Sequence, residues 1–476
     1  LAAAALATKL GKQVVVVIEK PFEIDAVLGM ARNGVHIPMI GFRIRLRARG
    51  SGLWEKSGGF ASKFGLTTRQ LLEAVERLSE AGLVDRATLL HFHIGSQITE
   101  IRKIKNAVRE AARVYAKLHR IGTRIRFLDV GGGLGIDYDG SRTSSDASVN
   151  YSVQEYANDV VFGLNEICEQ EDVPRPRIVS ESGRWLTAYH AMLVTDVRGV
   201  ISATQRGRPD ITGDEDQVVL DLSEVARNIN VKNYREFYHD ALEYRDLLYS
   251  RFNLGLIELP DRAKGEMLFW EIASKAVRCS KTAKFVTDEF ARLEHHLHDK
   301  YICNFSVFQS LPDHWALDQL FPVIPVHRLN ERPTHRAQLV DITCDSDGEL
   351  DKFVDRREIK TALEVHELRD GEPYYLAFAL VGAYQDTMGD MHNLFGRVNE
   401  VEVTLAPDGG AAIGDIRLGE GGHEALRTFG YDERALAAGI ESILVRRIEA
   451  GELDRVQAAD LMEEYRQRLR QYTYLD

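Results

Sequence analysis

A partial (β/α)8 barrel followed by a second, antiparallel β-domain is the α/β fold that the sequence predicts, and three observations predict it. Apolar, β-rich runs alternate with helical patterns over the first 200 residues; a stretch of helical spacing with almost no β-branched clustering follows; strands of irregular length then return before a helical tail.

The barrel strands are expected at Val14–Ile18, Ile40–Leu46, Thr88–Ile94, Ile125–Val130 and Ile178–Ser180, too few to close a barrel. Helices lie between them, among them Thr68–Ala81, whose Leu71, Leu72, Val75 and Leu78 share a face, and Ile101–Ile121. Gly199–Asp216, rich in Gly, Asp and Arg, reads as a loop or linker. Ser223–Leu248, Lys264–Cys279 and Phe285–Lys300 read as a helical insertion, and Ala337–Thr343, Tyr374–Leu380 and Arg397–Leu405 as strands of an antiparallel sheet. Asp432–Tyr472 reads as two amphipathic helices broken at Gly451, with Leu436, Ile440, Ile443, Leu444 and Ile448 on the first. The expected division is a partial barrel over 1–190, the start of the β-domain and a linker over 191–222, a helical insertion over 223–300, the β-domain over 301–406 and a helical region over 407–476.

With 476 residues, 44% hydrophobic, the chain can bury a sizeable core. Its net charge of −12 argues against nucleic acid and against anionic membrane surfaces as partners. Cys168, Cys279, Cys303 and Cys344 form no CxxC pair, which suggests neither a zinc site nor a disulfide framework and points to a reduced, cytoplasmic setting. The longest aliphatic run, Val14–Ile18, is far short of a membrane span. The opening Leu1-Ala-Ala-Ala-Ala-Leu6 carries no basic n-region and reads as the middle of a helix, hence of a longer protein.

In a barrel the chemistry sits just past the C-terminal ends of the strands, so those residues are the first candidates. His91-Phe-His93-Ile-Gly95-Ser96 ends a strand with both histidines on one face; it is either a metal pair or two buried, satisfied histidines. Asp129-Val-Gly131-Gly132-Gly133-Leu-Gly135 follows the next strand and lacks the dinucleotide spacing, because position 136 is Ile136. Such glycines form an anion-binding nest or a tight turn. Glu181-Ser-Gly183-Arg184 follows the last barrel strand and is either a plain ion pair or a carboxylate and a cation aimed at a ligand. In the β-domain, Cys344-Asp345-Ser-Asp347-Gly348 follows a strand; the flanking aspartates disfavour a thiolate, which suits a proton donor better than a nucleophile, although a lone Cys is often a small apolar residue. Gly382-Ala-Tyr384 ends another strand, where Tyr384 either packs locally or serves the site.

Taken in order, these motifs resemble the pyridoxal 5′-phosphate decarboxylases of the alanine-racemase type of fold. His91-Phe-His-Ile-Gly-Ser-Gln97, Phe308-Gln-Ser-Leu-Pro-Asp313, Asp341-Ile-Thr-Cys-Asp-Ser-Asp-Gly348, Val381-Gly-Ala-Tyr-Gln385, Met391-His-Asn-Leu-Phe-Gly396 and Tyr472-Thr-Tyr-Leu475 resemble the biosynthetic arginine decarboxylases within that superfamily. The resemblance covers essentially the whole chain, both helical additions included. It implies decarboxylation of L-arginine to agmatine and CO2 at the start of polyamine (putrescine and spermidine) biosynthesis, with pyridoxal 5′-phosphate and Mg2+ as cofactors.

The resemblance also implies roles. His93 is the histidine that stacks on the pyridine ring, and Ser96, Gly131, Gly132, Gly133, Arg184 and Tyr384 bind the phosphate. Glu181 holds the ring nitrogen protonated, Cys344 donates the proton to the α-carbon, and Asp345, with Asp347, faces the distal cation of the substrate. Arg43 lies near the stacking histidine. Cys344 and Asp345 are implied to reach the site of a neighbouring subunit, hence a homodimer or homotetramer. One departure stands out: the family's Schiff-base lysine segment does not occur in the chain, and neither Lys20 nor Lys63 replaces it, so the N-terminal part of the protein is expected to be absent and the chain inactive on its own. Ornithine, lysine and diaminopimelate remain alternative substrates, disfavoured by the helical insertion and the Cys-Asp-Ser-Asp-Gly segment. A non-catalytic regulatory relative is disfavoured by the intact Glu181, His93 and Cys344.

Overall fold

The structure, a computed structural model, describes residues 1–48, 62–202, 207–283, 285–355 and 359–475. Five strands, β1 (Val15–Ile18), β2 (Met39–Arg43), β3 (Ala87–His91), β4 (Phe127–Asp129) and β5 (Arg177–Val179), lie side by side in chain order, all parallel. Parallel neighbours require crossover connections. Helices Pro21–Arg32, Thr68–Glu80, Ile101–Arg120 and Val153–Glu171 supply them.

Local sequence explains these helices. The Thr67 hydroxyl accepts from the Gln70 amide while the Gln70 side chain reaches back to Thr67, which starts the second of them, and Leu71, Ala74, Val75 and Leu78 form its buried stripe. Ile104, Ala107, Val108, Ala111, Ala112 and Tyr115 do the same for 101–120. Every residue of β3 is buried, whereas all three of β5 are exposed. β5 is thus an open edge of the sheet, and the five strands do not close a barrel among the described residues.

The second sheet holds β6 (Leu193–Ile201), β7 (Asp299–Cys303), β8 (Val323–Pro325), β9 (His335–Val340), β10 (Glu349–Leu350), β11 (Leu363–Val365) and β12 (Tyr375–Phe378), ordered β10-β9-β7-β6-β12-β8 with β11 also on β9. It is antiparallel except between β7 and β9, which run parallel, so the all-antiparallel expectation is corrected. β6 runs on to Ile201, into the stretch read as linker, of which residues 203–206 lie outside the described residues.

Between β6 and β7 stand four helices, Gln217–Asn228, Tyr234–Asn253, Leu259–Ser280 and Asp288–His296, around a core that includes Leu222, Tyr238, Leu268, Ile272 and Phe290. The helical pattern over 223–248 is interrupted at residues 229–233. There the Asn230 and Asn233 side chains bond to backbone groups of Lys232, Asn230 and Asn228, diverting the chain from the helix. A hairpin of β13 (Glu400–Leu405) and β14 (Ala411–Arg417) precedes helices Gly422–Thr428, Glu433–Glu449 and Arg455–Leu469. The chain end returns to the β-domain, where the Tyr474 hydroxyl donates to the Gly396 carbonyl at 2.8 Å and Leu475 exchanges hydrogen bonds with Asn304.

Candidate functional site

Three parallel strands deliver their C-terminal ends to one place. β3 ends at His91, β4 at Asp129, and β5 leads into Glu181. His91 Nδ1 lies 3.1 Å from Asp129 Oδ2, close but not aligned as a hydrogen bond, while Asp129 Oδ1 accepts from the Gly131 amide at 2.9 Å. Ligand atoms of His91, Asp129 and Glu181 all lie within 4.8 Å of one another. The group that gathers around His91 is thus Asp129 and Glu181, and does not include His93, with which the sequence paired it.

The glycine loop is shaped against these strands. Gly131 has φ of +68°, and a Cβ there would stand 2.3 Å from the Phe92 carbonyl oxygen. A Cβ on Gly132 would point at His93 Cε1, 3.4 Å away, and toward the Ser182 amide, so the space above Gly132 is the space in front of His93. The loop is braced by Gln97, whose side chain bonds both the amide and the carbonyl of Ile136, and by the Tyr151 hydroxyl, which donates to the Ile98 carbonyl and accepts from the Gly135 amide.

His93 lies within this group, and its Nδ1 is buried with no hydrogen-bond partner. Burial, with the positive charge of Arg43 and the nearby His91, pushes its imidazolium down to about 4, so the ring is neutral and presents an uncharged face. Arg43, at the end of β2, donates to Glu19 at 2.9 Å and lies over the Phe64 ring.

Ser96, Arg184 and Tyr384 come together from three segments. Arg184 is buried in the short helix Gly183–Thr187. It donates through Nε to Ser96 Oγ at 3.2 Å and through Nη1 to Tyr138 Oη at 3.0 Å, and its guanidinium lies 4.6 Å from the centre of the Tyr384 ring. Tyr384, past β12, holds a left-handed φ of 71°. A buried cation ringed by hydroxyls beside a glycine loop suits an anion with several oxygens, such as a phosphate. Tyr138, Gln97 and Asp129 were given no role from sequence; Gln97 and Asp129 sit inside recognised motifs, and Tyr138 does not.

Cys344, Asp345 and Asp347 form a second group around other partners. Cys344 is exposed, and its Sγ accepts from Asn393 Nδ2 at 3.1 Å. Asp345 lies 3.6 Å from His392 and accepts from the Asp347 amide at 3.0 Å; Trp315 Nε1 donates to Asp347 at 3.4 Å. The loop is anchored by buried Asp341, which accepts from the Val307 and Thr343 amides and the Thr343 hydroxyl, and whose carboxyl burial pushes above its ordinary range. Among the described residues no helix is long and apolar enough to cross a membrane.

Comparison with known proteins adds to this geometry. Residues 3–188 match the family model of the pyridoxal-dependent decarboxylase pyridoxal binding domain, and residues 212–294 match that of the arginine decarboxylase helical bundle domain. The chain is 48% identical over 471 residues to the biosynthetic arginine decarboxylase of Deinococcus radiodurans, covering 98% of this chain and 71% of the relative. It is 43% identical to that of Thermosynechococcus vestitus, covering 99% and 74%. The crystal structure of the biosynthetic arginine decarboxylase SpeA from Campylobacter jejuni superposes with a TM-score of 0.82 at 32% identity, covering all of this chain and 76% of that one. Diaminopimelate decarboxylase from Helicobacter pylori, at 16% identity and a TM-score of 0.56, shares the fold.

Proposed function

The chain belongs to the biosynthetic arginine decarboxylases, and from that premise we propose how its residues divide the work of converting L-arginine to agmatine and CO2, the entry to polyamine biosynthesis. The family is one of pyridoxal-dependent carboxy-lyases. The observation that carries the division is the convergence of Ser96, Arg184 and Tyr384 beside a glycine loop, with the neutral His93 in front of it.

The residues present fit pyridoxal 5′-phosphate. Gly132 leaves open the space before His93, the orphaned Nδ1 of His93 faces no competing partner, and Arg184 is buried yet ringed by hydroxyls. Arg184, Ser96, Tyr384 and the amides of Gly132 and Gly133 take the phosphate, while Gly131, whose amide is held by Asp129, turns the chain so that they face it. His93 offers to the pyridine ring a face kept uncharged chiefly by burial, to which the positive field of Arg43 adds. Glu181 takes the ring nitrogen as a pyridinium, with His91 and Asp129 behind it. When bound, the cofactor supplies an electron sink for the charge left as CO2 departs. Cys344 carries the proton delivered to the α-carbon, and Asp345 and Asp347 offer carboxylates to the guanidinium of the substrate.

Because Cys344, Asp345 and Asp347 gather around partners other than those of Arg184 and His93, the proposal has each active site completed by a second subunit, as a homodimer or homotetramer. Mg2+, which the family resemblance implies, is a separate matter. The cluster of His91, Asp129 and Glu181 contains an imidazole, whereas Mg2+ prefers an octahedron of oxygens, so these residues do not fit that ion and no step uses it.

The test is arginine-dependent release of CO2 and agmatine with added pyridoxal phosphate, in a polypeptide carrying these residues and a Schiff-base lysine, beside ornithine, lysine and diaminopimelate. Turnover of arginine well above the other three is expected. Preference for another amino acid, or silence on all four, would overturn the reading.

A further inference from the structure

The turn at Met391-His-Asn-Leu394 carries two consecutive non-glycine residues in the left-handed region, Asn393 at φ 54° and Leu394 at φ 65°. Such backbone persists only where its surroundings fix it. Here the surroundings are visible: the His392 ring lies 4.2 Å from that of Phe308, the Asp390 amide donates to the Phe308 carbonyl, and the Phe395 amide donates to the His392 carbonyl, closing the turn. Phe308 in turn packs edge-on against Trp315, the residue that donates to Asp347.

The outcome is a pairing of consecutive residues with consecutive residues. Asn393 Nδ2 donates to Cys344 Sγ at 3.1 Å, and His392 Nε2, buried without a hydrogen-bond partner, stands 3.6 Å from Asp345 Oδ2. We propose that this turn is a positioning device: Asn393 orients the Cys344 thiol, and His392, seated on Phe308, holds the Asp345 carboxylate. The assignment deepens the proposed function and rests on Cys344 being the proton donor there. A sulfur whose lone pair receives the Asn393 amide has its S–H turned away from the turn, free to be delivered to a substrate carbon. Asn393 and His392 touch neither substrate nor cofactor in this scheme and act only through their neighbours.

Alkylation of Cys344 tests it without turnover. Cys168 and Cys303 are buried and Cys279 is partly buried, so peptide mapping separates Cys344 from them. The iodoacetamide rate at Cys344 is measured against pH in the intact chain and in Asn393→Ala, Asn393→Asp and Leu394→Gly. A donated hydrogen bond favours the thiolate, so the midpoint of the rate curve rises by about half a unit in Asn393→Ala, a ~3-fold slower reaction below the midpoint, and further in Asn393→Asp. Leu394→Gly, which relaxes the turn but keeps the amide, leaves the midpoint in place. An unchanged or lowered midpoint in Asn393→Ala overturns the proposal, as does an equal rise in Leu394→Gly, which would assign the effect to the loop rather than to the amide. Failure of the underlying reading shows elsewhere, in unaltered agmatine yield from a Cys344→Ala enzyme.

Discussion

Arg184 Nη1 donates to the Tyr138 hydroxyl at 3.0 Å although the two residues are 46 positions apart, and both are largely buried. Burial raises the titration of the Tyr138 phenol, while Arg184 pulls it back down, so the hydroxyl stays protonated and accepts from the guanidinium. The bond fixes the cation that Ser96 and Tyr384 also face. Tyr138→Phe leaves the volume and removes the acceptor. It is expected to weaken phosphate and pyridoxal phosphate binding roughly 5- to 10-fold and to cost about 1–2 kcal/mol of stability. Ligand titrations followed by protein fluorescence check the first; urea unfolding checks the second. Unchanged affinity would remove Tyr138 from the anion site.

Gly131 and Gly132 separate folding from binding. Alanine at 131 meets both a left-handed φ and the Phe92 carbonyl oxygen at 2.3 Å, so Gly131→Ala should lose about 2–3 kcal/mol of stability. Gly132 has ordinary backbone, and its added Cβ would touch only His93 Cε1 at 3.4 Å and the Ser182 amide at 3.8 Å. Gly132→Ala should therefore melt within a degree or two of the parent yet bind pyridoxal phosphate about 10-fold more weakly, because the methyl group fills the space before His93. Equal melting temperatures for the two variants would refute this account of the loop.

The neutral His93 makes stability depend on pH in a defined window. Its titration falls from the ordinary 6.5 to about 4 in the folded chain, chiefly because burial disfavours the charged ring. Between those two values the unfolded chain takes up a proton that the folded chain refuses, so stability drops as pH falls from 6.5 toward 4 and is unaffected by this residue above that window. Since the ring is partly exposed, the effect is about 2 kcal/mol rather than the full value of the shift. His93→Asn should flatten the slope of unfolding free energy between pH 6.5 and 4.5 by that amount. An identical slope in the variant would show that another group carries it.

These residues also mark what was legible before the structure. Alternating apolar runs located all five barrel strands to within a few residues; β2, β3 and β4 bury their middles, which read as apolar, and carry the polar Arg43, His91 and Asp129 at their C-terminal ends. The helix at 68–80 was legible from one buried stripe; the break at 229–233 was not, because Asn230 and Asn233 act through side-chain bonds to backbone that leave the apolar spacing undisturbed. Ser96, Arg184 and Tyr384 were legible as motif residues. Their convergence was implied by the family resemblance alone; composition and spacing carry nothing of it, since Arg184 follows β5 in the first sheet and Tyr384 follows β12 in the second. Tyr138 gave no signal at all: it is one tyrosine among 17, in a loop without periodicity.

Cys344 is the exposed cysteine of the chain, flanked by Asp345 and held by Asn393. If it delivers the proton to the α-carbon, Cys344→Ala should release CO2 from arginine while yielding less agmatine than CO2, because the proton arrives at the wrong atom or late. A fall of at least 10-fold in agmatine formation is expected, with arginine affinity changed little. The check is the ratio of agmatine to CO2 in single samples; a ratio of one at undiminished rate would sink the assignment.

In this family a lysine carries the cofactor. Lys20 lies two residues past β1, at the start of the helix Pro21–Arg32, with β2 standing between β1 and the strand that leads to His93; its Nζ is 2.7 Å from Glu19 and 5.3 Å from the centre of the Phe64 ring. Lys63 also sits over Phe64, at 5.0 Å. Both amines are engaged on the Glu19, Arg43 and Phe64 side, where Arg43 adds a competing positive charge. The contacts that the two amines make among the described residues are with Glu19 and Phe64, and none is with His93, on whose face the pyridine ring is proposed to lie. Borohydride reduction of the 476-residue chain in excess pyridoxal phosphate should therefore leave no stoichiometric pyridoxyl-lysine in its peptide map, while phosphate still competes with pyridoxal phosphate for the Arg184 site. A reduced adduct at Lys20 or Lys63 in one-to-one yield would place the cofactor carbonyl on the β1 side and reverse the proposed orientation of the ring.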